Sequence, residues 1–129
     1  MGTTIRLSLP ADPAFAVVAR TTAASIAAGS RASVDAVEDV RVVASELFAL
    51  ALNAAEPESA VHLTFTLSGI DIDLEARTQA RNAAPIHDTF AWAILEGLLD
   101  DFQATMSPAE GSASGELTLR GRLRLQVPA

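Results

Sequence analysis

Between residues 61 and 75 the chain twice alternates apolar and polar side chains at every step. Val61, Leu63, Phe65 and Leu67 are interleaved with His62, Thr64 and Thr66; beyond Ser68-Gly69, Ile70, Ile72 and Leu74 are interleaved with Asp71, Asp73 and Glu75. Two runs of period two joined at a Ser-Gly turn predict a β-hairpin with one dry and one wet face. A dry face needs a second layer of secondary structure to cover it.

The segments before the hairpin supply that layer. Thr4 to Leu9 alternate as a first half-buried strand that Pro10 ends. Asp12 and Pro13 have the chemistry of a helix start, and Phe15, Val18, Ala19, Thr22 and Ile26 repeat at the spacing of one helix face, with Gly29 as the stop. Ser33 is the cap expected for a second, longer helix. Asp35, Glu38 and Asp39 place negative charge near its start, where the helix dipole favours it. Val37, Val40, Ala44, Leu47, Phe48 and Ala51 form its predicted buried stripe, which runs to the Glu56-Pro57-Glu58 break.

After the hairpin, Arg77 to His87 shows neither period. Asp88 is a candidate cap for a third helix carrying Phe90, Trp92, Ile94, Leu95, Leu98, Leu99 and Phe102. Ser107 to Gly115 has the small residues of a loop. Leu117, Leu119, Leu123 and Leu125 predict one or two closing strands, with Gly121 as a candidate bulge. The order strand, helix, helix, hairpin, helix, closing strands predicts one domain over residues 1–129. Its fold is α+β: a two-layer sandwich of a mostly antiparallel sheet with three helices on one face.

Composition narrows what such a domain can do. Half of the 129 residues are hydrophobic and 19% are charged, so a packed core forms without staples. Cysteine is absent, which removes disulfides, thiolate metal sites and thiol nucleophiles. A net charge of −7 makes the electrostatics of direct nucleic-acid binding repulsive. No run approaches the ~20 apolar residues of a membrane span, and residues 1–10 lack the pattern of a signal peptide, so a soluble, cytoplasmic protein is expected.

The residues show little chemistry of their own. His62 and His87 stand alone in their segments without the spaced partners of a metal site, and no serine sits in a nucleophile-elbow sequence. On a helical wheel Glu46 falls beside Asp35, Asp39, Val42 and Asn53, as part of a solvated face. The seven glycines are scattered, and no Gly-x-Gly phosphate cradle is formed.

Val40-Arg41-Val42-Val43-Ala44-Ser45-Glu46 resembles the start of the N-box helix of the GHKL ATPase-like proteins, in particular the small anti-sigma factors of the RsbW and SpoIIAB type. Thr89 to Phe102 is similar to that family's third helix, especially in divergent actinobacterial members of the UsfX kind. The resemblance spans nearly the whole chain and implies the Bergerat (HATPase-like) α/β sandwich.

It also implies that the family's ATP site is lost here. Glu46 aligns with the kinase general base, but Leu50 stands where an Asn holds Mg²⁺, and an apolar side chain cannot ligate a hard cation. The adenine-recognising Asp aligns with Ala76, followed by Arg77 and Thr78 in place of the rest of that motif. The paired glycines opening the third helix align with Thr89 and Ala91, and the lid, Arg77 to Asp88, is shorter than the family's. Arg20 aligns with an arginine that members use to contact both sigma and the anti-anti-sigma protein, whereas Ala16 replaces a neighbouring acidic contact.

The implied function is a non-catalytic anti-sigma factor of the sigma-B/sigma-F group, without bound ATP or metal. It holds a sigma factor until a STAS-domain anti-anti-sigma protein releases it, and a homodimer is possible by analogy. Alternatives are a surviving serine kinase that phosphorylates the STAS protein, a scaffold binding only the STAS protein, and an unrelated enzyme using the pocket beside Phe90 and Trp92.

Overall fold

The structure is a computed structural model that describes residues 2–81, 86–108 and 114–127. In chain order its elements are β1 (Thr3–Pro10), a 3₁₀ turn (Pro13–Phe15), α1 (Ala16–Gly29), α2 (Val34–Ala54), β2 (Ala60–Ser68), β3 (Asp71–Arg81), α3 (Phe90–Leu98), β4 (Asp100–Pro108) and β5 (Ser114–Arg124). The five strands form one antiparallel sheet in the order β1-β2-β3-β5-β4. The helices cover one face of it. α2 packs on β2, β3 and β5, and α1 and α3 each pack against α2. The fold class is therefore α+β, compatible with a two-layer sandwich. Among the described residues no helix is long and apolar enough to cross a membrane.

The capping chemistry explains where the first two helices begin. Asp12 accepts a hydrogen bond from the Ala14 amide at 2.9 Å, which starts the 3₁₀ turn leading into α1. Ser33 Oγ accepts from the Ala36 amide at 3.1 Å, and Asp35 lies in the first turn of α2. One apolar core joins Val40, Ala44, Leu47, Phe48 and Ala51 of α2 to Val61, Leu63 and Phe65 of β2 and Ile72 and Leu74 of β3.

Several expectations need correction. The buried stripe of α1 is Ala19, Ala23 and Ala27, while Val18 is 36% exposed and Phe15, Thr22 and Ile26 are half-buried. Methyl side chains let α1 approach α2 closely, so size and not hydrophobicity selects the inner face. The hairpin loop is Gly69-Ile70, with Ser68 paired to Asp71; glycine suits its first position, where φ is +61°.

β3 does not end at Glu75. Ala76, Thr78 and Ala80 continue its buried face, so residues 77–81 of the presumed lid are strand, and residues 82–85 lie outside the described part. The alternation is hidden there because alanine and threonine contrast weakly with their polar neighbours.

The third helix is capped by Thr89 and not Asp88, and it stops at Leu98. Residues 100–108 are strand, with Phe102, Ala104 and Met106 half-buried against exposed Gln103, Thr105 and Ser107. Ser107, placed in a loop from sequence, is part of this strand, whereas residues 109–113 lie outside the described residues.

β5 is a single strand, and Gly121 keeps regular register opposite Leu74. The irregularity is in β4, between Asp100 and Gln103.

Candidate functional site

The positions singled out by the resemblance divide between core and surface. On α2, Glu46 is half-buried at the margin of the apolar stripe, while Asp35, Asp39, Val42 and Asn53 on the same side are exposed. One helical turn on, Leu50 is completely buried. Ala76 in β3 is flanked in register by Leu63 of β2 and Leu119 of β5 and is also completely buried. Ala91, on the first turn of α3, is 9% exposed. Leu50, Ala76 and Ala91 belong to the same apolar core, so the fold unites them as packing residues.

The two threonines have local partners. Thr78 is buried, and its hydroxyl donates to the Ala60 carbonyl at 2.9 Å, which satisfies a polar group that would otherwise be costly in the core. Thr89 Oγ1 accepts from the Trp92 amide at 3.1 Å and donates to the Ile86 carbonyl at 2.7 Å. That pairing fixes the entry to α3. Arg20 sits half-buried on α1, on a different element from these positions.

Beside α3, the rings of His87 and Trp92 lie 4.4 Å apart, and those of Trp92 and Phe102 lie 4.6 Å apart. Trp92 Nε1 donates to Glu96 at 3.2 Å. Phe90 takes no part in this stack and is 77% exposed. His62 is on β2, where its Nδ1 lies 2.8 Å from Ser8 Oγ of β1. Among the described residues no three His, Asp or Glu side chains are placed to hold a metal ion.

The most structured polar surface, missed from sequence, is the sheet face away from the helices. Asp71, Asp73 and Glu75 of β3 stand opposite Arg124, Arg122 and Arg120 of β5. Arg122 pairs with Asp73 at 3.1 Å and Arg124 with Asp71 at 3.4 Å. The Asp73 carboxylate, by hydrogen bond and charge, raises the pKa of Arg122. The third rung is broken, because Glu75 pairs along its own strand with Arg77 at 3.2 Å, and Arg77 also reaches Glu116 at 3.8 Å.

Arg120 instead borders two shallow cavities. One of about 330 Å³ lies against Asp73, Asp101 and Gln103, and one of about 180 Å³ lies against Glu75, Thr105 and Thr118. The charges alternate visibly in sequence at 71, 73, 75 and at 120, 122, 124, but only the strand register puts them in line.

A third cavity of about 280 Å³ lies between α1 and α2, floored by Ala24 and Ala28 and bordered by Val37 and Arg41. No known family profile matches the chain, and no curated protein matches it at a significant level.

Proposed function

We propose that this chain is a non-catalytic regulatory protein of the anti-sigma type, built as a degenerate Bergerat sandwich and acting in the cytoplasm by stoichiometric binding. It sequesters an alternative sigma factor of the sigma-B/sigma-F group and releases it to a STAS-domain anti-anti-sigma protein. The observation that carries this reading is the burial of Leu50. The position that resembles the family's magnesium-holding amide has neither an oxygen to offer nor any surface from which to offer it. Ala76 and Ala91, at the aligned adenine and phosphate positions, are core residues too.

Without positioned magnesium, phosphoryl transfer lacks most of its electrostatic stabilisation, and Glu46 alone cannot replace it. A half-buried arginine on α1, Arg20, is the first residue assigned to partner contact. The test is calorimetric titration of the purified protein with Mg-ATP and Mg-ADP, then with sigma and STAS proteins from the same genome. No nucleotide heat together with tight sigma binding, weakened by Arg20→Ala, supports the reading. Micromolar nucleotide binding, or phosphate transfer to the STAS protein, replaces it with the kinase reading.

A further inference from the structure

On the polar face of the sheet most of the charges between β3 and β5 are matched, but an arginine and, on neighbouring β4, an aspartate are not. Asp71 and Asp73 are bonded to Arg124 and Arg122. Arg120 stands directly opposite Glu75, yet that carboxylate is taken by Arg77. Among the described residues Arg120 therefore has no ion pair and no side-chain hydrogen bond.

The unmatched aspartate is Asp101. Along β4 the chain takes three steps from Asp100 to Gln103 while β5 takes two from Arg122 to Arg120, which is the extra residue of a β-bulge. Asp101 lies within it at φ +55°, a left-handed backbone that aspartate tolerates better than most side chains. Bulges commonly re-aim a side chain beside a binding site. Asp101 also lacks an ion pair or side-chain hydrogen bond among the described residues; its charge is felt by Arg122, which is already bonded to Asp73.

Both unmatched groups line the same cavity of about 330 Å³, together with Gln103 and the Asp73–Arg122 pair. Its two carboxylates balance its two guanidiniums. A simple anion or cation would gain from one unmatched group and be opposed by the other, whereas a molecule carrying both charges satisfies the two together. Arg120 and Gln103 also border the adjoining cavity of about 180 Å³, where the Thr105 and Thr118 hydroxyls add neutral donors.

We propose that this cavity binds a small zwitterionic amino acid, with its carboxylate on the Arg120 guanidinium and its ammonium on Asp101. A guanidinium offers a carboxylate two parallel donors, and a carboxylate accepts from an ammonium. No lining side chain of the larger cavity is apolar, so a large apolar substituent gains nothing there and glycine or serine fits best. The site lies on the sheet face away from the helices, while Leu50 and Arg20 belong to α2 and α1. This inference does not rest on the anti-sigma reading.

The test is an NMR titration of isotope-labelled protein with glycine and with L-serine at constant ionic strength, followed at the amides of Gly121 and Gln103. A Kd on the order of millimolar is expected, because both contacts join exposed charges. Arg120→Gln and Asp101→Asn should each weaken binding about fivefold, and asparagine keeps the left-handed backbone at 101. Both side chains are exposed, so the circular dichroism of the variants should match that of the parent. Arg124→Gln alters an arginine outside the cavity and should leave the affinity unchanged.

Acetate and methylammonium supply one charge each and should bind about tenfold more weakly than glycine. No saturable shift with either amino acid overturns the proposal. So does acetate binding as tightly as glycine, which would make this a carboxylate site served by Arg120 alone, or glycine binding that survives both substitutions, since its seat then lies elsewhere.

Discussion

Leu99 fills the space that any side chain at residue 121 would need: a Cβ built on Gly121 would lie 2.7 Å from Leu99 Cδ1 and 3.0 Å from Leu99 Cβ. Leu99 is the C-cap of α3 and immediately precedes β4, so the glycine allows the helix-to-strand junction to sit directly on β5. Gly121→Ala is therefore expected to destabilise the fold by about 1–3 kcal/mol, the usual cost of overpacking. Urea unfolding of Gly121→Ala, Leu99→Ala and the double variant measures the coupling. Strictly additive losses would show that the two residues do not compete for that space.

Thr89→Ala removes the side chain that bonds both the Trp92 amide and the Ile86 carbonyl. A loss of about 1 kcal/mol is expected, typical of a deleted helix cap, with Thr89→Ser recovering most of it and Asp88→Ala changing little. An Asp88→Ala loss larger than that of Thr89→Ala in the same denaturation assay would return the cap to Asp88.

Leu50→Asn puts the amide of the resembled motif back into a position with no exposed surface. The expected result is destabilisation of roughly 2–4 kcal/mol, from lost apolar packing and an unpaired buried amide, and no gain of Mg-ATP binding by calorimetry. Recovery of micromolar nucleotide affinity in this single variant would mean that position 50 opens to solvent in the working protein.

In the Arg122–Asp73 pair Arg122 is exposed and Asp73 half-buried, so the coupling in a double-mutant cycle with Arg122→Ala and Asp73→Ala should be small and shrink as salt is added. A large coupling that salt does not weaken would show that the polar sheet face is shielded from water, as by a bound partner.

The hairpin from 61 to 75 and the capped α2 were legible from residues alone, because the β2 pattern and the Ser33 start are strong local signals. The run from Leu99 to Met106 was not. Its apolar residues satisfy helical spacing when joined to Trp92 and Leu95, and only the bulge opposite β5 resolves the change from period 3.6 to period two. The second half of β3 was lost to the weak contrast of Ala76, Thr78 and Ala80. For the candidate site, the aligned positions came from resemblance, whereas the burial of Leu50 and Ala76 depends on how α2 and α3 meet the sheet. The ladder joining Asp73 to Arg122 needed a register that no single strand encodes.

The strand order β1-β2-β3-β5-β4 puts β5, the last of the described strands in sequence, between β3 and β4. Until β5 enters, β3 is an open edge and β4 has no neighbour, so the sheet stays divided into a finished hairpin side and an unattached strand. β5 pairs with eleven residues of β3 and carries Leu117, Leu119 and Leu123 into the core. Loss of β5, from premature termination or a proteolytic nick ahead of Ser114, would therefore leave an incomplete sheet with an exposed apolar face. Such a species is expected to be a substrate for proteases and chaperones.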